Sequence, residues 1–185
     1  MDSSKNIAAI YNQYISDLVN YGNYLGFEKE YVKDAIHDVF VNLTHKSNML
    51  EEITNIKFYL FRSLKNRLLD LEKSKKDFLE LDNSNYSHNI PFVITINIED
   101  LIIEKEEQQQ IKSTIEEMLS SLTNRQREII YLRYIHEYNY DEIAELLEIS
   151  VHGCRKLLSK AIITLREKYS PLILFYLTYF IDALK

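Results

Sequence analysis

The sequence predicts an all-α protein built as two small helical domains joined by a linker, and three observations carry that prediction. Apolar residues recur with a period near 3.6 along most of the chain, as helices that each bury one stripe require. Only three glycines and two prolines interrupt the 185 residues, which leaves long stretches free to stay helical. The segment 77–110 then breaks the pattern around DNSNYSHN and Pro91, separating two helical blocks. A hydrophobic content of 46% suffices for one core or for two small ones.

The first block reads as helices over 7–25, 29–43 and 56–75, with Gly26 ending the first. On the second helix Asp34, His37 and Asp38 share a face through their three- and four-residue spacing. That face suits either solvent or a basic partner, and a metal held by His37 with two carboxylates is the weaker chemistry. Residues 44–55 lose the period and read as an exposed polar loop. The third helix carries Arg62, Lys65, Asn66, Arg67 and Lys73 as candidate phosphate and base contacts. Its core stripe is expected at Leu60, Leu64, Leu68 and Leu71, with Tyr59 and Phe61 packing rather than stacking on bases. The β-branched run FVITINI after Pro91 has no second strand signal nearby, so an extended linker is expected there.

Helical periodicity resumes near Glu99. Thr123, with Gln126 three residues on, forms a capping box for a helix whose Ile129, Ile130, Leu132 and Tyr134 can close a three-helix core. Asn139 and Glu142 repeat that arrangement ahead of Ile143, Ala144, Leu146 and Leu147. After a turn of only Glu148 and Ile149, Ser150 restarts the chain. The next helix turns Val151, Cys154, Leu158, Ala161 and Leu165 inward, leaving His152, Arg155, Lys156, Ser159 and Lys160 on a cationic, hydrogen-bonding face.

A duplex major groove admits one helix whose Arg, Lys, Ser and His side chains reach base edges and phosphates while the preceding helix braces it. A bundle helix with a solvated basic face has the same pattern. Cys154, the lone cysteine, reads as a buried small hydrophobe rather than a redox thiol. The tail 171–185 opens with Pro171 behind Ser170 and continues LILFYLTYFIDAL, apolar on every side. Its thirteen residues are too short for a bilayer. It needs cover from the same domain or from a partner protein, and it lacks the polar face of a membrane-surface helix.

The net charge of -6 hides opposed segments. Residues 57–76 hold seven Lys or Arg against two acids, and residues 149–185 six against two, whereas 77–110 holds one base against eight acids. Phosphate attraction follows this local charge, not the total.

The run from Leu122 through Glu142, Ile143, Ala144, Leu147, Ser150 and Val151 to Lys160, Ala161 and Leu165 resembles the fourth conserved region of extracytoplasmic-function sigma factors. These are promoter-recognition subunits of bacterial RNA polymerase. DAIHDVFVNL and FYLFRSLKNRLLDLEKSKK, from Asp34 and from Phe58, resemble the second conserved region of the same family, in the right order. The resemblance implies a region 2-like domain over 1–76, an acidic linker over 77–98, a region 4-like helix-turn-helix domain over 99–170 and the apolar C-terminal helix over 171–185.

It further implies that Asp34, His37 and Asp38 dock on the beta-prime clamp helices of core RNA polymerase. Promoter DNA would be held at the minus-ten element by Arg62, Lys65, Asn66, Arg67 and Lys73. The minus-thirty-five element would fall to Ser150, His152, Arg155, Lys156, Ser159 and Lys160. An anti-sigma factor is a further partner of such proteins. The chain departs from the family at His37, where Gln is usual, at Gly153, where Thr is common, and at Leu157, where a polar residue is frequent.

No nucleophile–base pair, phosphate-cradling glycine loop or cysteine metal cluster is present in the sequence. The expectation is therefore a cytoplasmic, non-enzymatic protein with no metal, cofactor, small-molecule substrate or membrane span. Two other readings stand beside the sigma factor. One is a polymerase-independent helix-turn-helix regulator whose N-terminal half senses a ligand or dimerises; the other is a helical adaptor.

Overall fold

A computed structural model describes residues 3–45, 50, 53–77, 92–93 and 105–169. The apolar tail, most of the linker and part of the 44–55 loop lie outside the described residues. Within them the chain forms seven α-helices and one π-helical turn, with no strand. It divides into two compact units, Met1–Pro91 and Phe92–Lys185.

The first unit packs α1 (Ser3–Tyr24), α2 (Lys29–His45) and α3 (Ile56–Asp77) against one another. Leu18, Tyr21, Val32, Ala35, Ile36, Leu43, Leu60, Phe61, Leu64 and Leu68 are all buried there. The Phe61 ring lies 5.0 Å from that of Tyr21, so Phe61 packs as expected. Leu71 is only half-buried, so the leucine stripe stops one turn earlier than its spacing suggests. Gly26 adopts a left-handed φ of 80°, and the amides of Gly26 and Phe27 donate back to the carbonyls of Asn23 and Gly22. That geometry satisfies the last carbonyls of α1 and turns the chain into α2. Gly22 serves packing instead. A Cβ there would sit 2.6 Å from Val32 Cγ1, so its bare face lets α1 and α2 approach closely.

In the second unit both predicted capping boxes form. Thr123 Oγ1 accepts from the Gln126 amide at 3.3 Å and Gln126 Oε1 accepts from the Thr123 amide at 2.9 Å, opening α5 (Asn124–Ile130) after α4 (Lys105–Ser120). Asn139 Oδ1 accepts from the amides of Asp141 and Glu142, while Glu142 Oε2 accepts from the Asn139 amide, each at 2.9 Å. These bonds open α6 (Tyr140–Leu147), which is followed by α7 (Val151–Tyr169).

Between α5 and α6 the helix widens into a π turn over Tyr131–Ile135. A widened turn shifts every later side chain around the axis, and the core shifts with it. Tyr131, Leu132 and Ile135 are buried while Tyr134 is only half-buried. The expected Tyr134 anchor is therefore replaced by its neighbours.

Phe92, read from sequence as linker, belongs to the second unit. Its side chain is fully buried, its ring centre lies 5.6 Å from that of Tyr131, and its carbonyl accepts from Arg127 Nε at 2.6 Å. The same guanidinium donates through Nη1 to the carbonyls of Leu119 and Leu122, at 2.9 and 2.7 Å, and through Nη2 to Asn124 Oδ1. Arg127 thus ties Phe92, the end of α4 and the start of α5 together. Burial pulls its pKa below the ordinary guanidinium value.

Two glutamates close helical segments in the left-handed region, Glu137 at φ 59° and Glu148 at φ 53°. A side chain with a Cβ is strained there and glycine is not. Glu148→Gly is expected to stabilise the second unit by about 0.5 kcal/mol, because relief of strain outweighs the extra unfolded-state entropy of glycine. Urea unfolding followed by circular dichroism reads this, and an unchanged or lower midpoint would count against the strain.

Candidate nucleic-acid interface

The tight connection between α6 and α7 is built by Glu148. Its left-handed backbone lets the Ile149 amide donate to the Ala144 carbonyl at 3.0 Å, so α6 ends with its last turn satisfied. Ser150 then caps α7, its Oγ accepting from the Gly153 amide at 3.0 Å. Ser150 is exposed, but its hydroxyl already serves the helix start. At Gly153 an added Cβ would lie 3.2 Å from that same Oγ, so a larger residue must displace the cap slightly.

On α7 the two faces separate through its first three turns, and the exposed Ile163 interrupts the polar face further along. Cys154, Leu158, Ala161 and Leu165 are buried, and α7 packs on both α5 and α6. Val151, expected inward, is half-buried at the helix start. The opposite face presents His152, Arg155, Lys156, Ser159 and Lys160, all exposed. Leu157 is half-buried beside them. Burial, and then the nearby Asp141 carboxylate, push the Cys154 thiol above its ordinary pKa, which keeps it protonated and unreactive.

The ring of Tyr140, at the start of α6, lies beneath two guanidinium groups. Arg155 Cζ is 5.4 Å from its centroid and Arg133 Cζ is 5.1 Å away. Sequence reasoning singled out Arg155 alone. Arg133 and Tyr140 join it only because the π turn and the α6 start converge on α7, and no local pattern reports such a meeting.

In the first unit α3 presents Arg62, Asn66 and Lys73 to solvent, spaced so that they share one helical face. Lys65 and Arg67 depart from the expectation. Lys65 is only 7% exposed, because its position falls among the core leucines of α3, and as placed it does not belong to that open face. Arg67 turns to α2 instead, where its Nε and Nη2 both lie 2.7 Å from Asp38 Oδ2. Asp34 and His37 stay exposed on α2. The acid expected to meet a protein partner and the base expected to meet DNA therefore bind each other across the α2–α3 contact. Among the described residues, no group of three or more His, Cys, Asp or Glu side chains is placed to hold a metal ion, and no helix is long and apolar enough to cross a membrane.

Residues 112–165, which span most of α4 and run through α7 almost to its end, match the family model for sigma-70, region 4. No curated protein matches the chain in sequence. The solved structure of CnrH in complex with the cytosolic domain of CnrY is similar to this chain. Its TM-score is 0.52 at 17% identity, covering 89% of this chain and 87% of that one; a likeness at this identity speaks for the fold.

Because the Arg67 and Asp38 side chains are 42% and 39% exposed, solvent screens their attraction. A double-mutant cycle with Asp38→Asn and Arg67→Gln is expected to give a coupling of about 0.5 kcal/mol in urea unfolding. A coupling indistinguishable from zero would mean that the contact does not hold α2 and α3 together.

Proposed function

We infer that this chain belongs to the sigma-70 family of RNA polymerase sigma factors, in its extracytoplasmic-function subfamily, and acts as an alternative sigma factor in promoter recognition. One observation carries the inference. The segment that matches region 4, residues 112–165, ends in the helix whose buried stripe faces α5 and α6 and whose other face is cationic.

In this reading α7 enters the major groove of the minus-thirty-five element, with Arg155, Lys156, Lys160, His152 and Ser159 reaching phosphates and base edges. Ser150 acts mainly as the cap that sets the start of that helix. The first unit serves as the region 2-like domain. Its exposed Arg62, Asn66 and Lys73 contact the minus-ten element, while Asp34 and His37 meet the beta-prime clamp helices of core polymerase. Asp38 and Arg67 join those two surfaces rather than serving either one directly. Acidic and basic surfaces on different helices suit a protein that must hold a basic partner and a polyanion at once.

Recruitment of this kind needs no reaction at the chain itself, and it takes place in the cytoplasm, where polymerase and promoter meet. CnrH has been solved in complex with the cytosolic domain of CnrY, which supports a protein inhibitor as a further partner here. The apolar tail 171–185 is a candidate element of that interface.

Run-off transcription from genomic fragments with core polymerase tests the reading. New start sites are expected only when the chain is added. Specific duplex binding by the chain alone, without any change in initiation, would favour the polymerase-independent regulator. Asp34→Lys is expected to weaken co-elution with core polymerase while the fold persists, since Asp34 is exposed. Undiminished co-elution would move the docking face elsewhere.

A further inference from the structure

We propose that Phe92 is the point at which the linker is fastened to the second unit, and that this anchor, not the start of α4, limits which promoter spacings the protein accepts. The proposal rests on the promoter-recognition reading and deepens it with a determinant of specificity that touches no DNA.

The anchor is held in two ways. The Phe92 side chain is fully buried, with its ring centre 5.6 Å from that of Tyr131, so pulling it out would return a large apolar surface to water. Its carbonyl accepts from Arg127 Nε at 2.6 Å, and the same guanidinium is bound to the carbonyls of Leu119 and Leu122. The backbone at Phe92 is thereby tied to the end of α4 and the start of α5. Val93, the next residue, is 60% exposed, so the grip falls on Phe92 and is not shared by its neighbour.

An anchor at that position shortens the connection. α3 ends at Asp77 and α4 begins at Lys105. Between those helices lie 27 residues, 78–104, but only 14, 78–91, lie between α3 and Phe92. A chain spans at most about 3.4 Å per residue whatever path it takes, so the anchor lowers the greatest reach from about 95 Å to about 50 Å. Each base pair added between two promoter elements moves them apart by about 3.4 Å and turns them by about 35°. Two surfaces whose connection cannot span that separation lose the gain from binding together. Residues 94–104 add nothing to the reach, because both Phe92 and α4 belong to the second unit. Extra residues there only enlarge a closed loop, at small cost.

The test is run-off transcription by core polymerase with the full chain, on a promoter that the parent activates, its spacer lengthened one base pair at a time. Six Gly and Ser residues inserted between Ser84 and Asn85 are expected to raise output from the longer spacers, relative to the best one, by about threefold. The same insert between Asn97 and Ile98 is expected to leave the spacer profile as in the parent. Phe92→Ala should shift the profile in the direction of the first insert, whereas a purely structural loss would lower output at every spacer alike.

Thermal unfolding shows whether Phe92→Ala keeps its fold; if it does not, the two inserts decide alone. Widening by the second insert, a profile that the first insert does not move, or a folded Phe92→Ala with the parent's profile overturns the proposal and leaves the promoter-recognition reading in place. A parent chain that activates no promoter with core polymerase sinks that reading and the proposal together.

Discussion

The second unit depends on one constraint, the burial of a single stripe on α7. Cys154, Leu158, Ala161 and Leu165 follow one another at intervals of three and four residues and are all buried, which leaves α7 no freedom to rotate about its axis. The residues facing the other way are then determined by exclusion, and from His152 to Lys160 the exposed ones are cations and hydrogen-bonding side chains, with the exposed Ile163 following. A rotation by one residue, about 100° in an α-helix, would put a lysine or arginine into the core and an apolar side chain onto the exposed face. The cost of burying an unpaired charge forbids that. Specificity of presentation is thus a consequence of packing, and α5 and α6 serve as the surface against which α7 is held.

What was legible in the sequence is what is encoded within about four residues. Thr123 with Gln126 and Asn139 with Glu142 announce helix starts because a cap is satisfied by its own neighbours. The inward and outward faces of α7 follow from its period alone, apart from Val151. The illegible features all involve a meeting of distant segments or a change of helical pitch. Nothing local predicts that Tyr131–Ile135 would widen into a π turn, and that widening exchanged Tyr134 for Tyr131 and Ile135 in the core.

Arg67 could be read as a basic helix residue, but its engagement by Asp38, 29 positions away, depends on how α2 and α3 are set against each other. Phe92 was hidden for the same reason. Alone it resembles any hydrophobic residue of an extended run, whereas the carbonyl bond to Arg127 and the contact with Tyr131 draw it into the second unit.

Arg127 shows how one side chain can impose order on several weak local choices. The carbonyls of Leu119 and Leu122 lie at the end of α4 and in the turn after it, and Phe92 itself belongs to no helix. Carbonyls at a helix end or outside a helix lack the amide four residues on that a helix interior supplies, and they cost free energy if buried without enough partners. A planar guanidinium with five donors answers several of them at once. Lysine, with a single rotatable ammonium, could not span the same acceptors in one plane. Desolvation disfavours the charge, yet the multiple charge-assisted bonds offset that cost. The start of α5, and through it the surface on which α7 packs, therefore inherits its placement from a residue that lies outside the exposed face of α7.

Charge placement follows a related logic. The chain carries a net -6, yet α7 concentrates its cations on the one face that packing leaves open. Over distances beyond the Debye length, about 8 Å at physiological salt, a phosphate responds to the near face and scarcely to the remainder. Close contact can therefore be attractive while distant encounter is not. On the proposed function, a partner that holds the chain at the duplex supplies the approach that a screened field of mixed sign does not. On this argument the acidic majority of the chain and its two basic segments cooperate: the first suppresses unproductive encounters, and the second acts only where the partner has placed it.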